Sequence, residues 1–417
     1  MVKLIFHSIL ALIFSLSFFA LTVAAEPAIN HLPQGGLVTN GSASIAVDAT
    51  NSAVLNINQL SQRAIINWQS FNVGEQAVVK FNQPGSSSVT LNKINSNNPS
   101  QIYGKIQAPG EVILQNAAGI YFGKNSRLDV GAITATTHTI NEDKFMQGER
   151  EFDRNGTSGS VINEGEIRAS LNGYVALLAP EVRNHGLILA QMGTVVMASG
   201  EKITLNFNAN NHLSSISTTP STIDSLIENK HAVQAPGGTI ILSAKAMSRL
   251  VSGVINQAGT LDVSSDALDV VKVGGRVFIG GNQVTLAKSA VINATGADGG
   301  GEVTIEAGHF LAEASSVIDV SATQQGNGGS INIAANESEL RGSFIAMGGK
   351  ISGDGGQINI SSDRLVTTES TSIQAGARSQ QGAPGNVTIK TNTTDPNTQI
   401  ISVINKSIAA ANVTLTT

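Results

Sequence analysis

Two aspartates at equivalent places in a repeated segment are the first candidates for chemistry. Asp262 follows Leu261 and Asp319 follows Ile318, each within a three-residue apolar run. Glycan-cleaving enzymes use paired carboxylates as acid and as nucleophile or base. Here the two aspartates belong to separate repeats, and no Lys or Arg stands beside them in a fixed motif. We therefore predict no catalytic residues and no enzyme, and keep a glycan-active enzyme only as the third alternative.

Metal-binding patterns are also weak. The seven histidines are scattered between His7 and His309, none is paired at ligand spacing, and the chain has no cysteine. Asp298 and Asp354 lie in glycine-rich corners, but the repeating pattern of a calcium-binding solenoid is missing. We predict no metal site and no cofactor, and we interpret these corners as solvated.

The composition favours a long, regular molecule. The chain has 417 residues, 43 glycines, 4% aromatic residues and a net charge of -5. Many glycines with few aromatics are typical of small stacked layers. The sequence has no basic stripe, so nucleic acid is not expected as a partner.

The first 25 residues have the pattern of a secretory signal. Lys3 supplies the positive charge, residues 4–21 are mainly apolar, and small residues precede Glu26. We predict cleavage between Ala25 and Glu26; an uncleaved membrane anchor is the alternative. No later segment is apolar enough to cross a bilayer, so the mature chain is expected to be exported and not to span the membrane.

Residues 64–137 alternate apolar and polar side chains in short bursts separated by turn residues, which predicts many short strands. Twelve residues of this segment fall at positions that a strand would bury: Val78, Phe81, Val89, Leu91, Ile102, Ile106, Val112, Leu114, Ile120, Phe122, Leu128 and Val130.

A repeat begins at Gly237. Later copies start at Gly274, Gly300, Gly328 and Gly355, with spacings of 26, 28 and 27 residues, and a related one starts at Pro384, a further 29 residues on. Alternation sends Val303, Ile305, Ile331, Ile333, Ile358, Ile360, Val387 and Ile389 inward and Thr304, Asn332, Asn359 and Thr388 outward. Such periods are typical of β-solenoids, and coils of about 20–25 residues would give roughly 15 coils and a rod about 70 Å long.

Two stretches break the regular pattern. Residues 137–157 are strongly charged and predict a short helix or a loop standing off the coil. Residues 204–233 are polar and predict a second extrusion, with a helix over 221–229. Between them, residues 160–203 place Asn and Gly before inward aliphatic residues, as stacked coils would.

Four sequence blocks carry a resemblance to a known family. They are 68–74 (WQSFNVG), 88–93 (SVTLNK), 99–104 (PSQIYG) and 110–120 (GEVILQNAAGI). Their order and spacing resemble the secretion domain of filamentous-haemagglutinin-type exoproteins, the exported partners of two-partner secretion, and especially the high-molecular-weight adhesin branch. That family's usual Asn-Pro-Asn-Gly-Ile run is altered here, because Ala117 and Ala118 replace Pro-Asn.

The resemblance implies an all-β fold: a right-handed parallel β-helix of the pectin lyase-like type, with an N-terminal cap and small extra-helical loops or hairpins. Residues 30–64 would form the cap, with Trp68 and Phe71 plugging its apolar end or docking a secretion partner. We divide the chain into signal peptide (1–25), two-partner secretion or haemagglutination activity domain with its cap (26–210), extruded polar segment (211–236) and β-helix repeats (237–417), incomplete at the C-terminus.

The resemblance also implies a partner: an outer-membrane transporter of the TpsB type with periplasmic domains. The positions that match the family motif and could be recognised by it are Asn116, Gly119 and Ile120, with Pro99, Ser100 and Gln101 as a second set. A turn and core role is the competing interpretation for Asn116, Gly119 and Ile120.

The implied function is that of a secreted exoprotein or adhesin of a Gram-negative bacterium. It would pass through the Sec route and the periplasm and then bind host receptors, glycans or other bacteria as a virulence factor. The alternative is a haemolysin or haem-utilisation exoprotein of the same secretion system. The strand-like finish at residues 413–417 also leads us to expect a shortened relative or a product cut off from a longer exoprotein.

Overall fold

The computed structural model describes residues 25–248, 250–394 and 411–416, which form thirty-five strands and one short helix. The first ten strands are β1 (Leu37–Asn40), β2 (Ala43–Val47), β3 (Val54–Gln59), β4 (Arg63–Trp68), β5 (Val78–Asn82), β6 (Val89–Ile94), β7 (Ser100–Ile102), β8 (Lys105–Gln115), β9 (Ile120–Phe122) and β10 (Arg127–Thr136).

The middle of the chain holds the helix and twelve strands. They are β11 (Thr139–Ile140), α1 (Glu142–Gln147), β12 (Glu151–Asp153), β13 (Ser160–Asn163), β14 (Glu166–Ala169), β15 (Tyr174–Leu178), β16 (Glu181–Asn184), β17 (Leu187–Ala190), β18 (Thr194–Ser199), β19 (Lys202–Phe207), β20 (Leu213–Thr219), β21 (Ser225–Asn229) and β22 (Ala232–Gln234).

The last thirteen strands are β23 (Thr239–Ala244), β24 (Gly253–Gln257), β25 (Thr260–Asp262), β26 (Arg276–Leu286), β27 (Val291–Asn293), β28 (Glu302–Ala312), β29 (Val317–Asp319), β30 (Ser330–Leu340), β31 (Ser343–Ile345), β32 (Gln357–Thr367), β33 (Ser372–Gln374), β34 (Asn386–Thr394) and β35 (Asn412–Thr416).

Of the thirty-one strands in the main sheet, all but β1 and β2 wind into one coil with three walls of parallel strands. Wall 1 contains β3, β5, the first halves of β8 and β10, then β14, β17, β22, β25, β27, β29, β31 and β33. Wall 2 contains β4, β6, the second halves of β8 and β10, β15, β18, β23 and the first halves of later long strands. Wall 3 contains β7, β9, β13, β16, β21, β24 and the second halves of those long strands. The predicted all-β parallel β-helix is therefore confirmed.

Each later repeat makes one complete coil. Arg276, Glu302, Ser330, Gln357 and Asn386 stack in register, so these coils take 26 to 29 residues, longer than the sequence estimate assumed. Wall 1 can be followed through twelve stacked strands among the described residues. At about 4.8 Å per layer, those strands span about 50 Å, so the estimate of roughly 15 coils is not reached in this part of the chain.

The core is a continuous column of aliphatic and aromatic side chains inside the coil. All eight inward residues predicted for the later repeats are buried. Eleven of the twelve predicted for residues 64–137 are buried too, but Val89 and Leu91 are buried on the outer side of wall 2, in a second apolar core, and not inside the coil. The exception is Val78, which is only half-buried, because Val79 and Phe81 alternate inward on that strand and Val78 must point the other way.

The N-terminal cap is built from antiparallel strands. β1 pairs with β4, and β2 pairs with β3, so these added strands pair with the first layers of the coil. Trp68 and Phe71 are buried behind them with their rings edge-to-face at 5.3 Å. The Trp68 indole donates to Asn92 Oδ1 at 3.0 Å. Both aromatics thus fill the capped end, as the packing interpretation predicts.

A column of glycines runs along the corner between walls 1 and 2. Its members are Gly131, Gly173, Gly193, Gly238, Gly275, Gly301, Gly329, Gly356 and Gly385. A Cβ on Gly329 would lie 2.0 Å from the carbonyl oxygen of Gly301, and one on Gly301 would lie 2.2 Å from that of Gly275. Close stacking of backbones, rather than a positive φ, requires glycine at these two positions, since neither has a positive φ.

A second column lies inside the corner between walls 3 and 1. Asn163 donates to Asn184 at 2.8 Å, Asn184 to Asn229 at 2.8 Å, and Asn229 to Gln257 at 3.0 Å. All four side chains are buried, and each of the three asparagines donates to the side chain that follows it in the stack. The N-x-G pattern therefore marks stacked, hydrogen-bonded corners.

Four strands form a separate antiparallel sheet, in the order β11-β12-β19-β20, which we call the cover sheet. It packs on the outer side of wall 2, where Phe145, Phe152, Ile203 and Leu205 join a second apolar core. The short helix predicted for residues 137–157 is confirmed as α1. Residues 137–157 do not form a purely solvated loop, because Phe145 and Phe152 are fully buried.

The second interruption is shorter than predicted. β19 and β20 form the extruded hairpin, and the chain is back in wall 3 at β21 and in wall 1 at β22, within the segment 211–236. The helix predicted over 221–229 is wrong, since Ser225–Asn229 is a strand. Parallel pairing with β16 and β24 overrides the local sequence there.

The last described strand, β35, pairs in parallel with β34. Residues 395–410, where part of the predicted final turn falls, lie outside the described residues, as do residues 1–24 of the predicted signal. Within the described part of the chain, no helix combines the length and apolar character needed to cross a membrane.

Candidate functional site

The six candidate recognition residues meet at one corner of the coil, between walls 2 and 3. Pro99 and Ser100 lie in one layer, and Asn116, Gly119 and Ile120 lie in the next. Ser100 stacks on Ile120 in parallel register, and its N–H donates to the carbonyl of Gly119 at 3.0 Å. The two motifs, separate in sequence, therefore form a single structural unit.

Asn116 is the central residue of this corner and is fully buried. Its Nδ2 donates to the carbonyl of Asn98 at 3.1 Å and to the Ser100 hydroxyl at 3.0 Å. Its Oδ1 accepts from the N–H of Ala118 at 3.0 Å, which closes a local turn. Its own N–H donates to the carbonyl of Thr136 in the following layer at 3.0 Å. One side chain and its backbone thus connect three successive layers.

Gly119 and Ile120 complete the turn. Gly119 has φ +123°, a conformation that side chains disfavour, and its Cβ would lie 2.9 Å from the Ser160 carbonyl. Ile120 then starts β9 and enters the core with 1% exposure. The sequence Asn-x-x-Gly-Ile therefore forms a tight turn at the corner, followed by a strand whose first side chain enters the core.

The second set is partly exposed. Pro99 is exposed, Ser100 is buried, and Gln101 is half-buried. The N–H of Gln101 donates to Asn72 Oδ1 at 2.9 Å, so Asn72 holds this strand in place. With Asn98 and Ala117, Pro99 forms the solvent-facing surface of the folded corner.

Sequence reasoning missed two members of this unit. Asn72 lies within the block 68–74 but is not among the predicted site residues, although an Asn after a buried aromatic was the available signal. Asn98 contributes its backbone carbonyl, which no side-chain pattern indicates.

Two tyrosines extend the surface along wall 3. Tyr121 follows Ile120, and its ring contacts that of Tyr103 at 5.8 Å. Its hydroxyl donates to Glu164 at 2.8 Å, and burial, with this carboxylate beside it, raises the pKa of Tyr121 well above the usual range. Both phenols are therefore neutral, half-exposed ring surfaces beside the corner.

The remaining candidates are not brought together. Asp262 and Asp319 are separated in the stack by Asn293, and each holds a local turn through Ser264 or Ser321. Asp298 accepts from Gln325, and Asp354 accepts from the N–H of Ala383. Within the described ranges, no three His, Asp or Glu side chains lie close enough to hold a metal ion.

The predicted signal cleavage site lies at the start of the described residues. Ala25 and Glu26 are both exposed, and the chain then packs against the capped end, where the N–H of Gln76 donates to the Ile29 carbonyl at 2.8 Å. Cleavage between Ala25 and Glu26 stays a prediction.

A capped parallel β-helix with this corner defines a class of exported proteins. The family model for the TPS secretion domain, the secretion domain of two-partner secretion, matches residues 29–268, and the chain belongs to this family. Members of the family are secreted across the outer membrane of Gram-negative bacteria. The match extends past residue 210, where the sequence analysis ends this domain.

Two curated relatives from Haemophilus influenzae, each described as a heme/hemopexin-binding protein, are similar to this chain. One is 28% identical over 273 residues, or 64% of this chain, and the other is 28% identical over 281 residues, or 62%. The matched region spans 29% of the length of each relative.

Among solved structures, the HMW1 secretion domain from Haemophilus influenzae is similar to this chain with a TM-score of 0.66. The sequences are 26% identical, and the match covers 83% of this chain and 99% of that domain.

Proposed function

We propose that this chain is the exported partner of a TpsB-type outer-membrane transporter, which recognises the corner around Asn116. The observation that carries the proposal is the family match together with the convergence of both motif segments on that corner. Transport would follow removal of the signal peptide in the periplasm.

Burial suggests when recognition takes place. Asn116, Ser100 and Ile120 are inaccessible once the corner has closed. An open segment can instead add as a strand to an exposed sheet edge of the transporter, using its main-chain groups. On this view the transporter binds the corner before it closes, and closure outside the cell buries the same residues and prevents return.

The test is Asn116→Asp in cells that express the chain with its transporter. The substitution removes both donated hydrogen bonds and adds a charge, and a loss of about 1.4 kcal/mol in recognition would reduce release about tenfold. Immunoblotting of medium and periplasm would measure release and signal cleavage. We expect the cleaved chain to accumulate in the periplasm.

Asn184→Asp is the matched control, because Asn184 is also buried, donates to a neighbouring asparagine and lies outside the corner. Equal loss of release in both variants would indicate impaired folding and contradict a recognition role for Asn116. Ala117→Arg tests the alternative in which the folded surface is recognised, since Ala117 is exposed. A large export defect in that variant alone would contradict recognition of the open corner.

After export, we propose that the rod acts as an adhesin for host cells or other bacteria, by binding rather than by turnover. Support comes from the outer side of wall 2, where Thr304, Asn332, Asn359 and Thr388 stack at every layer. A repeated polar surface suits weak contacts that add up along the rod. Purified chain should bind cells in a saturable manner; absence of binding to host cells and bacteria would contradict this role.

Haem acquisition is the second candidate, favoured by the descriptions of the two curated relatives. It predicts that the purified chain binds haem or hemopexin, measured by the haem absorbance band or by co-precipitation. Binding to either, without binding to cells, would favour this function over adhesion.

A further inference from the structure

A cleft separate from the recognition corner lies under the tip of the β19–β20 hairpin. Its volume is about 340 Å³, and we call it the hairpin cleft. The coil contributes Arg63, Glu111 and Tyr174, the segment after α1 contributes Arg150, and the hairpin contributes Phe207 and residues 210–212.

The floor of the hairpin cleft is an ion pair in which both carboxylate oxygens already accept hydrogen bonds. Arg150 donates from Nε and Nη2 to the two oxygens of Glu111, each at 3.0 Å. The Tyr174 hydroxyl donates to Glu111 Oε1 at 2.5 Å. All three side chains are buried, so Glu111 is already paired with Arg150 and Tyr174 and is not available to pair with Arg63.

Arg63 brings a second positive charge to the cleft, where Glu111 already forms an ion pair with Arg150. Its Nε is buried without a hydrogen-bond partner, and Nη1 reaches only the carbonyl of Met146 at 3.5 Å. Within the described ranges, no carboxylate lies within ion-pair distance of Arg63, and Glu111 is the sole acidic residue lining the cleft. Partial burial, with Arg150 nearby, lowers the pKa of Arg63, and the Glu111 carboxylate opposes this shift only in part. An anion in the cleft would relieve this incompletely compensated charge.

The rest of the lining is neutral, polar and aromatic. Ser86, Ser87, Asn172, Asn210 and Asn211 offer hydroxyl and amide groups to the cleft. Phe207 packs edge-on against Tyr174 at a centroid distance of 5.7 Å and remains partly exposed. An aromatic surface beside fixed hydrogen-bonding groups suits a ring with hydroxyls on its edge and C–H groups on its face.

We propose that the hairpin cleft binds a carboxylated sugar residue. Arg63 pairs with the carboxylate, the amides of Asn210 and Asn211 bind ring hydroxyls, and Phe207 packs against the sugar ring. A site of this kind gives the exported chain a defined glycan contact within its family domain, independent of how the chain is transported.

The test uses the purified chain and three probes: D-glucuronate, D-glucose and acetate. Binding is followed by isothermal titration and by amide chemical shifts of residues 210–212. Glucuronate should bind in a saturable manner, and glucose and acetate should each bind about tenfold more weakly or not at all, because each offers only part of the contacts. Equal binding of glucose and glucuronate, equal binding of acetate and glucuronate, or no glucuronate binding would overturn the proposal.

Arg63→Gln should weaken glucuronate binding about tenfold or more, since it removes a charge-assisted contact. Arg341→Gln is the matched control, because Arg341 is an exposed arginine far along the coil and should not affect binding. Unchanged affinity in Arg63→Gln would overturn the proposal. If circular dichroism shows that Arg63→Gln does not fold, Asn210→Ala on the exposed hairpin tip takes its place. Full glucuronate affinity in Asn210→Ala would then overturn the proposal.

Discussion

At the residue scale, His138 is a buried group whose charge state is coupled to folding. Its Nε2 lies 2.8 Å from the carbonyl oxygen of Gly200, and its Nδ1 is buried with no hydrogen-bond partner. Burial holds the pKa of His138 below its ordinary value, the nearby Arg154 acting in the same direction. A proton on Nδ1 would have no acceptor, so the folded state keeps this ring neutral.

We predict that the free energy of unfolding falls as pH drops from 7 to 5.5. In that range the unfolded state takes up a proton on His138 before the folded state does, so acid favours unfolding, with a slope of up to about 1.4 kcal/mol per pH unit. Urea unfolding at several pH values would measure it. His138→Gln, whose amide can still reach the Gly200 carbonyl, should have a flatter profile. An identical slope would rule His138 out as the cause.

At the element scale, the glycine column sets the spacing of successive coils. A Cβ on Gly329 would lie 2.0 Å from a carbonyl oxygen, closer than packing allows. We predict that Gly329→Ala lowers the free energy of unfolding by about 1–3 kcal/mol, because the two layers must move apart. Gly85→Ala is the matched control, since a Cβ added at Gly85 would meet no atom within 4 Å. Equal unfolding midpoints in urea for both variants would contradict the packing explanation.

Regular strands were predictable because their signal is local. Val303 and Ile305 alternate with polar residues next to glycines, and the chain forms the expected strand. By contrast, Ser225–Asn229 combines apolar and charged residues in an order that also suits a helix. Glu228 contacts His185, which directly follows the neighbouring strand β16 and lies 43 residues away in sequence. Short-range patterns cannot show such pairing.

The candidate site was only half predictable. Family resemblance indicated Asn116, Gly119 and Ile120, and the structure adds that they share a corner with Ser100. Their burial was not predictable, because it depends on Thr136 and Ser160 in later layers. The hairpin cleft was missed altogether, since Arg63 and Phe207 lie on different elements and share no motif.

At the scale of the whole molecule, the cover sheet and the coil are two layers with separate apolar cores. Phe152 anchors the cover sheet to the outer side of wall 2 and is fully buried. Phe344 instead lies inside the coil. The two phenylalanines therefore allow the layers to be perturbed one at a time.

We predict that Phe152→Ala destabilises the cover sheet by about 3–5 kcal/mol. Amide hydrogen exchange should accelerate in β11, β12, β19 and β20 while the coil stays protected, because regions with separate contacts can open separately. Phe344→Ala is the comparison and should accelerate exchange in the neighbouring coils. Uniform acceleration across the chain in both variants would mean that the two layers unfold as one unit.

The cover sheet ends part-way along wall 2, and this has an evolutionary consequence. As far as Ile241, outward residues such as Tyr174 and Val196 are as buried as inward ones, whereas at Thr304 and beyond they are only half-buried or exposed. In the early coils, burial therefore limits the substitutions that wall 2 tolerates on both its inner and its outer side. In the later coils, it limits them on the inner side alone. We expect the downstream coils to tolerate more substitutions on their outer side, so that this surface can change while the first coils, which carry the recognition corner, stay the same.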